Sequence, residues 1–404
     1  MRKAFYGLYS DMQRAYAECQ KQQQHLEPIV KMIDSKRKLP LPSTHHDTDT
    51  DFDFFPKEIK DYIWNERSTA ITYQFNAYNR KVFLHFVVFN TPTPDLKKIQ
   101  ADAKRVCALV HLVSMQASRP TCSATLNIYI YMTDFKKRFP TEKGQPLDAE
   151  HANTGLSYHC AKNNDVIVYR KEEWFKVLIH ELFHAFGLSF IDSDMEDAVN
   201  SRMQRVLHNT YAISHQVHIY ETYCEIWARI LNVVFDCFMD DDANPIVKIH
   251  QSNVTDLELQ VFMECVMEGL HENSYFAQEQ FAKLMQYMDL TCDIISNPTE
   301  ANRAIVAEKY RENTNIFAYY VLTCDLLYSP DEFIIWCYKN NPFKRTTPRA
   351  NIMQFRTIPS NFNGFMELLR YCKQRCPDLN SVQPNDADVL GSSMRMTVKR
   401  GRME

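Results

Sequence analysis

Residues 171–187 read KEEWFKVLIHELFHAFG. Trp174, Leu178, Ile179, Leu182, Phe183 and Phe186 recur at helical spacing and give the stretch apolar faces. Glu172 and Glu173 fall in the expected first turn, where the helix dipole favours acids. Gly187 is placed to stop the helix. Inside the stretch, His180, Glu181 and His184 form H-E-x-x-H. Residues four apart on a helix share a face. Two imidazoles so placed reach one Zn²⁺ with bonds of about 2.0–2.1 Å, and Glu181 is positioned to take a proton from water at the metal. The alternative is a helix whose histidines sit satisfied in a core. Against it, two histidines and a glutamate in such apolar company need a reason, because burying unpaired charge is costly.

The surrounding chain has 404 residues, 45% hydrophobic and 24% charged, with room for one large or two medium globular domains. A net charge of −4 argues against a general nucleic-acid binder. With eight glycines and neither G-x-x-x-x-G-K-[ST] nor G-x-G-x-x-G, no nucleotide loop is expected. No apolar run of about 18 residues occurs, so no transmembrane helix is predicted. The start, MRKAFYGLYSDMQRAYAECQ, lacks the apolar core of a secretory signal. The 12 cysteines are scattered singly, Cys372 and Cys376 being the closest pair, which predicts reduced thiols in a cytoplasmic setting.

Taken in order, residues 1–35 predict an N-terminal helix with Tyr6, Tyr9, Met12, Tyr16 and Cys19 on its apolar side. Residues 36–57, rich in Pro, Thr and Asp, read as an acidic linker. Asp47, Asp49, Asp51, Asp53 and Glu58 fall at the spacing of a calcium loop, but Phe52 stands where its sharp turn demands glycine. Two β-rich runs from Ile71 to Asn90, joined at Asn79-Arg80, predict a hairpin. A helix over 95–117 and a strand over 124–132 follow, then strands over 153–159 and 165–170 around a turn at 162–164. Beyond Gly187 the pattern is helical, with helices expected over 217–235, 256–271, 276–288, 299–311, 316–327 and 362–374. Residues 381–404, which include Arg395, Lys399, Arg400 and Arg402, predict a disordered basic tail. The expected organisation is α+β: a mixed β-sheet subdomain over 58–190 carrying the motif helix, then a mainly helical subdomain over 191–380.

A zinc site needs a third protein ligand and an open position for water. HELFHAFGLSF places Phe190 where metzincins carry a ligand, and Phe190 cannot bind metal. Asp192 and Asp194 are near but out of register. The stronger source is the helix over 217–235, where Glu221, Glu225 and the small Ala228 share one face. Like charges at i,i+4 repel, so Glu221 and Glu225 are best explained by a nearby cation centre, and either can be the third ligand. The competing reading is a surface ladder of Glu221, Glu225 and Arg229.

H-E-x-x-H followed by E-x-x-x-E on a later helix resembles the gluzincin clan of zinc metallopeptidases. The resemblance implies a zincin-like fold, with Glu221 on the metal and Glu225 bracing a histidine. It implies an oxyanion donor at Tyr319 or Tyr320 in AYYVL, and an edge strand, NTGLSYH, that pairs with a peptide through Asn153, Thr154 and Gly155. The stretches 153–190, YETYCEIWARILN and RENTNIFAYYVL also resemble H-E-x-x-H proteins of nucleocytoplasmic large DNA viruses. This implies a viral protein acting on a peptide or protein substrate in the host cytoplasm or the virion, with one Zn²⁺ per chain, no nucleic-acid or membrane partner, and virion components as possible company. Two alternatives stay open: a virion structural protein whose site is structural or inactive, and a zinc hydrolase of non-peptide substrates.

Overall fold

The computed structural model describes residues 1–22, 27–33, 55–91, 93–191, 194–246, 255–342, 351–376 and 392–398. In chain order the first half runs α1 (Arg2–Gln22), β1 (Ile29–Ile33), α2 (Lys57–Asn65), β2 (Ser68–Ala77), β3 (Arg80–Phe89), α3 (Leu96–Gln116), β4 (Thr125–Tyr131), α4 (Ala149–Ala152), β5 (Gly155–Ser157) and β6 (Asn163–Val168). The second half is helical: α5 (Trp174–Ala185), α6 (Asp197–Thr210), α7 (Ile219–Phe238), α8 (Asp256–Tyr287), α9 (Cys292–Ser296), α10 (Glu300–Lys309), α11 (Thr323–Tyr328), α12 (Pro330–Asn340) and α13 (Pro359–Arg375). The architecture is mixed α+β.

The six strands form one mixed sheet in the order β1-β2-β3-β4-β6-β5. The expected hairpin is present, with Ala77 opposite Arg80 and Tyr78 in the left-handed conformation that tight hairpin turns use. β4 runs parallel to β3 after the α3 crossover, whose first turn is capped by the Asp95 carboxylate accepting the Lys98 N–H at 3.1 Å. β6 is parallel to β4, and β5 returns antiparallel on its outer side. Strand alternation divides the core. Leu84, Phe86, Ile128, Ile130, Val166 and Val168 face α1, α3 and the helical half. Val87, Tyr129, Tyr131 and Ile167 face a smaller cluster with Phe55, Ile59 and Ile63 at α2.

Several boundaries differ from expectation. The N-terminal helix stops at Gln22 rather than 35, and Ile29–Ile33, just beyond Pro28, pairs with β2. The strands expected over 153–159 and 165–170 are Gly155–Ser157 and Asn163–Val168. The turn comes earlier, where Asn164 Nδ2 donates to the Tyr158 carbonyl at 2.7 Å. The helices expected at 256–271 and 276–288 are one, α8. Its polar interruption stays helical because buried Asn273 Nδ2 donates to the Gly269 carbonyl at 2.9 Å. Residues 36–54, with Asp47 to Asp53, and residues 381–391 and 399–404 lie outside the described chain. Residues 392–398 do not fit a disordered tail: Met394 and Met396 are buried.

The expectation of wholly reduced thiols is also corrected. Cys122 pairs with Cys160 and Cys237 with Cys265, partners 38 and 28 residues apart that only the fold brings together. Cys372 and Cys376, adjacent in sequence terms, remain free. Among the described residues no helix is long and apolar enough to cross a membrane.

Candidate metal centre

The motif helix α5 begins and ends on left-handed residues. Gly187, at φ +62°, closes it, with its N–H donating to the His184 carbonyl at 3.0 Å. Glu173, at φ +56°, precedes it. A left-handed conformation costs a residue with a Cβ about 1–2 kcal/mol. Glu173 does not cap the helix as the dipole argument anticipates; its carboxylate turns away to a buried ion pair with Lys137. Burial alone would raise the Glu173 pKa, but Lys137, Lys176 and Arg395 hold it down at about 2.

Helix α7 packs along α5 and brings its acidic face to the histidines. His180 Nε2 lies 3.0 Å from Glu221 Oε2, His184 Nε2 lies 3.4 Å from the same oxygen, and the two ring nitrogens are 3.2 Å apart. A tetrahedral ion with bonds of about 2.0–2.1 Å spaces its ligands about 3.3–3.4 Å apart. The three donors therefore fit a metal ion with no rearrangement beyond a few tenths of an ångström. Among the described residues, His180, His184 and Glu221 are the group of histidine, cysteine and carboxylate donors so arranged.

The next layer holds these three donors in place. His180 Nδ1 lies 3.2 Å from Glu225 Oε2, within ion-pairing reach though not aligned as a hydrogen bond. Glu225 is fixed in turn by Lys176 Nζ, donating at 2.9 and 3.0 Å, and by Arg229 Nε at 2.8 Å. His184 Nδ1 has an unusual neighbour, the buried thiol of Cys224 at 3.7 Å. Such outer partners orient ligating histidines.

In the metal-free protein, burial pushes the His180 pKa down, but the Glu221 and Glu225 carboxylates against its two ring nitrogens override it and raise it to about 10. Against its burial, the charge on His184 and the contacts from both imidazoles hold the Glu221 carboxyl well below its usual range. A histidine whose folded pKa exceeds its ordinary 6.5 contributes stability that is complete below that value and fades as pH rises through the folded one. Melts of the chelated protein at fixed ionic strength should therefore show the midpoint temperature falling between about pH 6.5 and 10. A flat profile over that window would contradict the charged imidazole.

Glu181 faces the edge strand. Ser157 Oγ on β5 donates to Glu181 Oε2 at 2.7 Å. A Cβ on Gly155 would lie 2.8 Å from the Ile167 carbonyl, 2.9 Å from Val177 Cγ1 and 3.0 Å from Glu181 Cγ, so β5 can approach the helix this closely only with glycine there. Asn153, Thr154 and Gly155 line a small pocket with His180, Glu181 and Tyr319. Among the described residues the buried Thr154 hydroxyl has no hydrogen-bond partner, and the Asn153 carbonyl oxygen Oδ1 accepts from Thr314 Oγ1 at 3.1 Å.

The two tyrosines separate. Phe317–Leu322 is π-helical rather than α-helical, with the displaced Ala318 carbonyl accepting from Thr222 Oγ1 at 3.3 Å and Thr323 Oγ1 at 2.8 Å. The wider turn aims Tyr319 into the centre, where its hydroxyl donates to Glu221 Oε2 at 3.2 Å. Tyr320 points elsewhere: its hydroxyl is buried and donates to the Met394 carbonyl at 2.5 Å, so its candidacy as an oxyanion donor is corrected.

Phe190 sits buried against Phe355 and Phe362. Asp194 accepts from the Ile191 N–H at 3.1 Å, and Asp192 lies outside the described residues. Sequence reasoning missed Ser157, Lys176 and Cys224. Lys176 carried a signal, since it stands one helical turn before His180 on an otherwise apolar helix. No protein-family model matches the chain, and no curated protein or solved structure matches it either.

Proposed function

We propose that the chain is a zinc-dependent metallopeptidase of the gluzincin kind, taking a peptide or protein substrate. The observation that carries this reading is the convergence of His180, His184 and Glu221 at tetrahedral spacing, with Glu181 turned toward an edge strand beside them. When bound, zinc supplies Lewis acidity that polarises a carbonyl and acidifies water.

The chain's own groups do the rest. An extended peptide adds alongside β5, which among the described residues pairs only with β6. Glu181 accepts the proton of the attacking water and passes it to the leaving amine. Ser157 holds the glutamate in register for both transfers. The Tyr319 hydroxyl is the oxyanion donor, since it already reaches into the ligand set. Glu225, gripped by Lys176 and Arg229, keeps His180 oriented. The viral resemblance extends this reading to a host-cytoplasmic or virion enzyme.

The test combines metal analysis with a peptide-library digest. Protein purified without chelator should carry one zinc per chain by mass spectrometry and cleave a subset of the library. Zinc without cleavage would favour a structural site in a virion protein, and absence of metal would remove the site altogether.

A further inference from the structure

Residues 392–398, SSMRMTV, form an extended strap across the N-terminal side of the motif helix. It is tied at three places. The Phe139 N–H donates to the Ser392 carbonyl at 2.9 Å and the Met394 N–H donates to the Lys137 carbonyl at 3.0 Å. In the middle, the Glu173 carboxylate accepts from the N–H groups of Met396 and Thr397 at 3.0 and 2.6 Å, and from the Thr397 hydroxyl at 2.5 Å. At the far end, the Val398 N–H donates to Asn273 Oδ1 at 3.3 Å. The left-handed backbone of Glu173 now has a use: it turns the carboxylate from the helix end to the strap.

This grip places one side chain in the cleft. Met396 is buried, with Sδ 3.4 Å from Lys176 Nζ, and it lines the same small pocket as Ala152, Gly155, Val177 and His180. An extended peptide beside β5 presents alternate side chains to opposite faces, and one facing α5 enters this pocket. Of its charged members, Lys176 and Glu225 are paired with each other and Glu181 accepts from Ser157. What remains for a substrate is a narrow space between Ala152, Val177 and Met396 on one side and the Asn153, Thr154 and Tyr319 side chains on the other.

We propose that the strap over residues 392–398 is the specificity wall of the cleft: latched by Glu173, it uses Met396 to limit one substrate subsite to small side chains. The assignment rests on the peptidase reading. One methylene in an apolar pocket changes selectivity by about 10–200-fold. Met396→Ala should therefore raise the kcat/KM ratio of phenylalanine- over alanine-containing peptides at a single subsite by about tenfold or more, and Met396→Phe should lower it. Zinc stoichiometry checks that both variants are folded.

Calorimetry with dipeptide hydroxamates carrying alanine or phenylalanine side chains repeats the comparison without turnover. Cleavage with unchanged selectivity in both variants overturns the wall while leaving the peptidase intact. Hydroxamate discrimination that follows residue 396 without any cleavage upholds the pocket and overturns the peptidase reading. Indifference of both assays to residue 396 overturns the proposal.

Discussion

Glu181→Gln is expected to keep its zinc and lose hydrolysis. The carboxylate is not one of the three converging donors, so metal affinity should hold. The amide is close in size and still meets Ser157, which preserves the packing against β5. What disappears is the proton acceptor. General acid–base groups contribute about 10²–10⁴-fold, and kcat on any library-derived peptide should fall by at least the lower figure. Activity within tenfold of wild type, at full zinc occupancy, would take Glu181 out of the chemistry.

The second large effect separates two carboxylates one helical turn apart. Glu221→Ala leaves two histidines and should abolish tight zinc binding. Glu225→Ala should weaken it by about 10–100-fold, the usual cost of a lost outer partner. Stability should rank the other way. Glu225 sits between Lys176 and Arg229, both buried, so its removal strands two cations at about 3–5 kcal/mol. Chelator-competition titrations and denaturant melts on both variants test the two rankings. Reversed affinities would exchange the roles of the glutamates, and equal wild-type affinities would place the third ligand elsewhere.

Much of this centre was readable from spacing. Two histidines at i,i+4 on an apolar helix, and two glutamates at i,i+4 on another, each violate what an ordinary packed helix prefers, and the structure sets one violation against the other. The hairpin, helix α3 and strand β4 followed from periodicity, while the parallel pairing across α3 did not. Other features were not legible because nothing local encodes them. Ser157 meets Glu181 only through strand order, and Cys122 meets Cys160 only through the β5–β6 turn. Tyr319 and Tyr320 are indistinguishable in an α-helical reading, and the π-helical turn decides which one enters the site. The strap looked like a polar end because its buried methionines alternate with arginine and threonine over too few residues to register as a strand.

Gly155 has a mechanical consequence. Because even a Cβ at this position would crowd Val177 and the stem of Glu181, the strand that would carry a substrate and the helix that would carry the base are packed with no side chain between them here. On the peptidase reading, the separation between a docked scissile bond and its proton acceptor would then be set by this close packing and by the Ser157 hydrogen bond to the carboxylate. A displacement of about 1 Å at a reacting centre can cost about 10²-fold in rate, and a larger residue at 155 would force one by pushing the strand off the helix.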